Sequence, residues 1–309
     1  MGEPIASETN RDKKQVGHAM KKLILFAVSL AALTGSTHAA DLPTQKVPPV
    51  AAAPAPIWSG FYAGLNAGGT WANNSSLNVS TWPVGVGHPT GAALWTGSVP
   101  TGSSAGFIGG GQIGFNWQAN LRGLGFVTGV EADIQGIAGD SSSSSAIVSA
   151  APLDGGMLTS TMRGNSSLSY IGTVRGRVGY LAMPNLLVYG TGGLAYGGVN
   201  ASLSLFQLNG GIPGAWGGGT SNYSSTQVGW TAGGGVEYMF LPNWSAKAEY
   251  LYYDLGSMAS NAVSYHFTPG RPAGIADVSN VSTRFNGNIV RAGINYHLNF
   301  GAAPVIAKY

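Results

Sequence analysis

The chain contains no cysteine. That excludes disulfides, thiol nucleophiles and Cys-ligated metals, together with the lipidated Cys that anchors a bacterial lipoprotein. Charged residues are scarce, at 9% of 309 positions. No stretch in the body of the chain reaches the ~20 consecutive apolar residues that a membrane-spanning helix needs. A basic surplus is missing as well, despite a formal net charge of +3. Five of the 15 Lys/Arg (Arg11, Lys13, Lys14, Lys21, Lys22) and three of the 12 acids (Glu3, Glu8, Asp12) lie within residues 1–39, so ten bases meet nine acids in the rest. That near-balance leaves no basic patch, and no nucleic-acid partner is expected. What the chain has instead is glycine, 49 residues of it, and a regular alternation of apolar and polar side chains.

Lys21 and Lys22 precede an apolar run from Leu23 to Leu33, followed by small residues ending Ser36-Thr37-His38-Ala39. This charged, apolar, small-residue order is that of a secretory signal, so residues 1–39 are read as a signal peptide cleaved after Ala39. The run is apolar all round, which a soluble amphipathic helix is not. Met20 stands directly before the lysines and is the expected true start, with residues 1–19 a misassigned extension. Residues 40–57 carry Pro43, Pro48, Pro49, Pro54 and Pro56 among Ala and Val, and read as an extended periplasmic linker.

Residues 58–300 form the body. In its last segment Val290, Ala292, Ile294, Tyr296, Leu298 and Phe300 take one parity, and Arg291, Gly293, Asn295, His297 and Asn299 the other. A strand sends alternate side chains to opposite faces, so one face is apolar and the other polar. Eight such segments are expected, at about 58–71, 105–118, 123–137, 166–181, 186–198, 223–240, 244–256 and 283–300. The Gly-rich parity of 186–198 stays open. Short links at 119–122, 182–185 and 241–243 alternate with long ones at about 72–104, 138–165, 199–222 and 257–282. The expected fold is all-β: an eight-stranded antiparallel transmembrane β-barrel with short periplasmic turns and four long extracellular loops. An even strand number puts both termini in the periplasm.

The polar parities collect four bases (Arg175, Arg177, Lys247, Arg291) and four acids (Glu131, Asp133, Glu237, Glu249). A base facing the bilayer midplane costs about 2–4 kcal/mol, so these residues are expected to point into the lumen. Eight strands leave an interior just wide enough for side chains to fill, and buried charge must pair there. The eight are therefore expected to form a lumen salt-bridge network rather than line a wide pore. Aromatic side chains gather toward strand ends, with Trp58, Trp117, Tyr238, Phe240, Trp244 and Phe300 at the short-turn side. Trp71, Phe107, Trp230 and Tyr252 lie toward the long links, and the two sets read as interfacial girdles.

Trp58-Ser-Gly-Phe-Tyr-Ala-Gly-Leu-Asn-Ala-Gly-Gly69 resembles the opening strand of the small outer-membrane β-barrel proteins of alphaproteobacteria. These are the outer-membrane immunogenic or "porin family" proteins, related to the OmpA-type barrel. Residues 173–180 (TVRGRVGY), 189–197 (YGTGGLAYG), 229–256 (GWTAGGGVEYMFLPNWSAKAEYLYYDLG) and 290–296 (VRAGINY) resemble its later strand blocks, so the likeness runs from Trp58 to Phe300 and spares the loops. It implies a surface antigen with a structural role in the envelope and no enzyme site. Arg291, Gly293, Tyr296, Leu298 and Phe300 also resemble the C-terminal signal read by the barrel-assembly machinery. Here the chain continues past Phe300 with a tail, residues 301–309, which departs from that pattern.

Motifs that suggest other chemistry fail on context. Gly109-x-Gly111-x-x-Gly114 and Gly190-x-Gly192-x-x-Ala195 match the dinucleotide fingerprint, which needs a helix opening on the glycines. Both sit inside alternating strands, where glycine permits bending and close packing. Gly102-Ser103-Ser104-Ala105-Gly106 fits the nucleophile-elbow pattern but not its strand-turn-helix setting. His88 and His266 fall in long links and His297 on an inner face; no third residue completes a triad with Ser104. The histidines lack metal-ligand spacing, and Asp140, Asp154 and Asp277 are scattered over separate links. No catalytic, metal or cofactor site is expected, so the chain is read as a non-enzyme. The expected partners are outer-membrane lipid and lipopolysaccharide, the assembly machinery during insertion, and host or neighbouring surface molecules at the loops. The expected state is a monomer. A low-conductance channel and a ligand-binding, adhesive or lipid-modifying barrel are the alternatives.

Overall fold

The computed structural model describes residues 58–73, 76–85, 89–100, 105–121, 124–139, 142–150 and 156–298. The expected signal peptide, linker and tail lie outside the described residues, as do Phe300, Ser104, His88, Asp140 and Asp154. In chain order the elements are β1 (Gly60–Ala72), β2 (Ser76–Pro83), helix α1 (Pro89–Leu94), β3 (Gly97–Pro100), β4 (Ala105–Leu121) and β5 (Leu124–Ala138). They continue with β6 (Ser142–Ala150), β7 (Leu158–Met183), β8 (Leu186–Asn209), β9 (Trp216–Leu241), β10 (Trp244–Phe267) and β11 (Gly274–Leu298).

Eight strands close a ring in the order β1-β4-β5-β7-β8-β9-β10-β11, with β11 returning to β1 and every pairing antiparallel. This is the expected eight-stranded barrel. Tracing paired residues once around the ring from Leu187 returns to β8 at Gly197, ten residues farther along. That stagger tilts the strands and sets the lumen's bore, both of which are linked to strand number. Closure leaves no free edge in this part of the sheet, which matters in lipid because an unpaired backbone group there costs several kcal/mol.

The outer face of the ring is apolar. Leu65, Ile113, Val130, Ile134, Val178 and Leu194 are all exposed there. Aromatic side chains stack at its margins, with Phe115 between Phe61 and Trp117 at centroid distances of 4.6 and 4.5 Å and Trp244 against Tyr296 at 5.0 Å. Trp230 and Tyr252 pair at 5.4 Å toward the long-link end. Trp58 is not part of a girdle. It is fully buried, its indole Nε1–H donating to the Pro184 carbonyl at 3.0 Å, and it closes the lumen floor with Val127, Leu187 and Met239. Burial satisfies its one donor and removes its ring from solvent, which suits an indole better than an exposed strand start.

Above the ring the long links are themselves folded. β7 starts at 158, β8 runs to 209, β9 starts at 216, β10 runs to 267 and β11 starts at 274, each well beyond the range expected from pattern. β2 pairs with β11, β3 with β2 and β6 with β7, so these three strands continue the wall above β1, β4 and β5. The pattern was obscured by a change of solvent. In β8 the exposed outer positions are apolar up to Leu194 and polar from Asn200 to Ser204, while Val199, Ala201, Leu203 and Leu205 turn inward. A strand leaving lipid for water must exchange its apolar face, so a single alternation rule does not run through it. The same rule resolves the lower part of β8, where Leu187, Tyr189 and Ala195 face the lumen.

The register can be checked directly because the chain has no native thiol. Leu65 lies opposite Ile294 across the β1–β11 closure. Oxidation of a Leu65→Cys/Ile294→Cys variant should cross-link the folded protein efficiently. A Leu65→Cys/Val290→Cys pair, four residues out of register, should remain reduced. Equal cross-linking of both would refute this closure.

Candidate functional site: the charged layer of the lumen

The polar cluster sits midway up the ring, built from inward positions of five strands. β5 supplies Glu131 and Asp133, β7 supplies Arg175 and Arg177, and β9 supplies Glu237. Lys247 and Glu249 come from β10 and Arg291 from β11. All eight are buried, and they gather in one connected network of zero net charge, the Arg177–Glu237 pair joining the rest through the 3.8 Å approach of Arg177 to Glu131.

Arg175 is the hub. Its Nη2 donates to Glu131 Oε1 at 2.5 Å and Asp133 Oδ2 at 3.0 Å, Nη1 donates to Glu249 Oε1 at 3.0 Å, and Nε donates to Thr173 Oγ1 at 2.9 Å. Arg291 bridges the same acids through Nε to Glu249 Oε2 at 2.8 Å and Nη2 to Asp133 Oδ2 at 2.9 Å. Lys247 Nζ straddles both oxygens of Glu131 at 2.8 and 2.9 Å. Nearer the short turns Arg177 donates from Nη1 to Glu237 Oε2 at 2.9 Å and from Nε to Asn116 Oδ1 at 2.8 Å. Its guanidinium lies 4.8 Å from the Tyr62 ring and 5.2 Å from the Tyr189 ring, a cation held between two π faces. Such forked, charge-assisted contacts are what offset the large cost of taking ions out of water.

Three partners of the network, Tyr62, Asn66 and Tyr189, were not singled out from sequence, whereas Asn295 was read on a polar parity. Tyr62 donates to Glu131 Oε2 at 2.6 Å and Tyr189 to Glu249 Oε1 at 3.0 Å, so two tyrosines cap the acids. The Asn66 amide donates to Gln112 Oε1 at 2.9 Å, and Gln112 in turn donates to Asn295 Oδ1 at 2.5 Å. Inward parity would have found Tyr62, because it shares a face with Asn66; Tyr189 lay in the strand whose parity stayed open.

Small residues make the layer fit. A Cβ on Gly114 would stand 2.3 Å from the Tyr62 ring, and one on Gly68 would stand 2.8 Å from Arg291 Cβ. Gly114 belongs to the first of the two nucleotide-fingerprint matches, and both lie mid-strand, in β4 and β8, with no helix following. Gly114 makes room for Tyr62, whereas at Gly109, Gly111, Gly190 and Gly192 a Cβ would meet nothing closer than 3.5 Å.

Ser245, His297 and Glu237 meet below the hub, which raises the question of a triad. Ser245 Oγ reaches Glu237 Oε1 at 2.5 Å and His297 Nε2 at 2.9 Å, while the same Nε2 lies 3.4 Å from Glu237. A working triad needs serine and acid on opposite ring nitrogens; here both crowd one nitrogen, and all three residues are buried. This is a hydrogen-bonded cluster that anchors the Arg177 partner. A second polar group sits in the upper wall, where His266 Nε2 lies 3.6 Å from Asp277 Oδ2. Burial lowers the His266 pKa from its ordinary value and raises that of Asp277, each opposed by the other's charge. Among the described residues no group of three or more His, Asp or Glu side chains is placed to hold a metal.

Of the residues expected in an assembly signal, Arg291 points into the network, whereas Tyr296 and Leu298 are exposed on the outer face. Gly293 lies where a Cβ would come within 2.8 Å of the Leu65 carbonyl oxygen.

Apolar clusters flank the charged layer. Below it lie Trp58, Val127, Leu187 and Met239; above it lie Ile108, Ile171, Leu251 and Ile289. A third apolar cluster, including Leu77, Trp95, Leu203 and Met258, lies in the upper wall. Apolar and polar side chains thus share the interior: the upper wall stands outside the ring and forms its own core, in which Ser160, Gln207, Ser264 and Asp277 are buried as well.

A closed antiparallel ring with an apolar outer band and a filled, charge-paired lumen is the architecture of a transmembrane β-barrel. The profile of the outer membrane protein beta-barrel domain matches residues 27–297, and the chain belongs to that family. It is 33% identical over 281 residues to the 31 kDa outer-membrane immunogenic protein of Brucella melitensis, covering 90% of this chain and 99% of that protein. It is 34% identical over 163 residues to the 22 kDa outer membrane protein of Rhizobium leguminosarum bv. viciae, covering 52% and 59%. The resemblance to alphaproteobacterial outer-membrane barrels seen in the strand motifs is thus met by relatives from that group. Among solved structures, the outer membrane protein OprG from Pseudomonas aeruginosa aligns over 78% of this chain and 97% of its own, at 12% identity and a TM-score of 0.33, a likeness too distant to carry weight.

Removing the hub while leaving its acids buried should be costly. Arg175→Ala is expected to lower unfolding free energy by about 3–5 kcal/mol, the range for breaking a buried ion pair. Arg163→Ala, at an exposed site in the upper wall, should leave stability unchanged. Reversible urea unfolding in lipid vesicles, followed by tryptophan fluorescence, distinguishes the two; equal effects would remove the network from its stabilising role.

Proposed function

We propose that the chain is a structural barrel and surface antigen of the outer membrane, a non-catalytic protein whose closed lumen braces the wall. The observation that carries this reading is the stacking of layers along the lumen: an apolar floor, a neutral paired-charge layer and an apolar layer above. A conducting pore needs a continuous polar path, and the apolar clusters on either side of the charged layer weigh against one. Hydrolysis needs an activated nucleophile within reach of substrate, and the buried Ser245 cluster has neither the access nor the geometry.

In this reading the short turns face the periplasm, as do both termini, and the upper wall projects outward from the cell. The barrel-assembly machinery inserts the chain as a monomer. Lipid surrounds the apolar band, and lipopolysaccharide sugars meet the uncharged Asn and Ser positions of the upper wall, including Asn165, Asn200, Ser202 and Asn222. The eight lumen charges serve stability and register.

Two measurements test this. Refolded into planar bilayers, the protein should give no steady single-channel steps; reproducible openings would replace the structural reading with a channel. An epitope inserted at residues 211–213 should be accessible to antibody on intact cells, and one inserted at 242–243 should not. The reverse result would invert the orientation.

A further inference from the structure

Beyond the lipid-facing band, the barrel carries a second belt of large apolar side chains at the tip of the upper wall. On β8 these are Phe206 and Leu208, on β9 Trp216, on β10 Tyr265, on β11 Ile275 and on β2 Trp82. Their exposure is high for such residues, 55% for Trp82 and 51% for Tyr265. The positions are contiguous: Leu208 pairs with Trp216 and Trp216 with Phe267, while Tyr265 pairs with Ile275. The turn joining β8 to β9 adds Gly210-Gly211-Ile212-Pro213-Gly214, all exposed and uncharged. Scattered surface apolar residues need no explanation, but a contiguous exposed belt marks an interaction site.

This belt cannot share a bilayer with the lower band. On β8 Tyr196, just above Leu194, ends the lower band and Phe206 begins the upper one, with Asn200, Ser202 and Ser204 facing outward between them. Those 10 residues span about 33 Å along the strand, or roughly 25 Å of height at the usual strand tilt. The lower band alone is about 25 Å tall in such barrels.

We propose that the upper belt is a docking surface for a second, phosphate-bearing lipid membrane. Three observations select that occupant. The residue types, Trp, Tyr and Phe with aliphatic neighbours, are those of the lower margin, where aromatic rings suit a lipid–water boundary. The side chains stand on an outward face and, at Ile212, on a turn tip, which offers a bilayer something to enter. The charge is complementary: among the described residues every carboxylate is buried, and the exposed charges are Arg163, Arg271 and Arg284, the last of them paired with Asp254. Arg271 occupies the turn between β10 and β11, beside the belt, where a lipid phosphate can accept its hydrogen bonds.

The inference rests on the proposed orientation only for its meaning in the cell; the physical test is independent of it. The full chain is placed in phosphatidylcholine nanodiscs and mixed with protein-free vesicles of phosphatidylcholine and phosphatidylglycerol, and vesicle-bound protein is measured by flotation. Wild-type discs should float with the vesicles. Trp82→Ser/Ile212→Ser/Trp216→Ser should cut the bound fraction by about tenfold or more, since each apolar side chain withdrawn from lipid is worth on the order of a tenfold in partition. Ile212→Ser alone, in a turn, gives a smaller loss that does not depend on refolding of the triple variant. Arg271→Glu should weaken binding to the anionic vesicles and not to pure phosphatidylcholine, and Ser202→Ala in the polar zone should have no effect. Failure of wild-type discs to float, or their pairing with one another in preference to vesicles, overturns the proposal. Failure of the whole-cell epitope experiment overturns the orientation alone.

Discussion

Charge pairing inside a narrow ring is the constraint on which the rest of the barrel depends. Four acids and four bases stand within a lumen that eight strands leave only wide enough for side chains. An unpaired ion there would cost several kcal/mol. Neutrality is met locally: Arg175 and Arg291 share Glu249 and Asp133, Lys247 sits on Glu131, and Arg177 holds Glu237. These contacts join β5, β7, β9, β10 and β11 across the interior, so the side chains fix the register that the backbone ladder alone would specify weakly. Glycine follows from the same constraint, since Tyr62 and Arg291 occupy the space that side chains at Gly114 and Gly68 would fill.

Around that layer the barrel changes its solvent twice. Its outer face meets lipid along the ring and water along the upper wall, and its lumen is apolar, then charged, then apolar again. The inner and outer sequences of layers are independent. On β8 Val188 and Leu194 point outward below Gly198, Val199, Ala201, Leu203 and Leu205 point inward above it, and Phe206 and Leu208 point outward again at the tip. The β9–β10 ladder is broken at the same level, between the pairs Trp230–Asp254 and Thr220–Val263, where both strands pass from one regime to the other.

Much of this was legible in the amino-acid order, and its legibility tracks how far a signal is local. Alternation identified the eight strands of the ring, because in lipid an outward charge is penalised at every position. The short links at 119–122, 182–185 and 241–243 separate the strands as expected. The eight charged residues could be named from parity alone. The upper wall was not legible, because Ser- and Asn-rich segments such as 199–209 alternate in the opposite sense and resemble loops. Trp58 was misplaced for a similar reason: an aromatic residue at a strand start looks the same whether its ring turns toward lipid or folds beneath the lumen.

The sequence by itself determined the closed barrel, the inward charges and the absence of thiol chemistry. Each follows from a rule that acts residue by residue: period-two alternation, the cost of charge in lipid, or a missing side-chain type. Only the tertiary structure decided which acid meets which base, that Tyr62 and Tyr189 flank Arg177, that apolar clusters lie on either side of the charged layer, and that the long links build a second wall tipped with exposed aromatics. Those are facts about residues far apart in the chain, Glu131 and Lys247 or Trp82 and Tyr265, and no local pattern encodes a distance that ring closure and stagger alone establish.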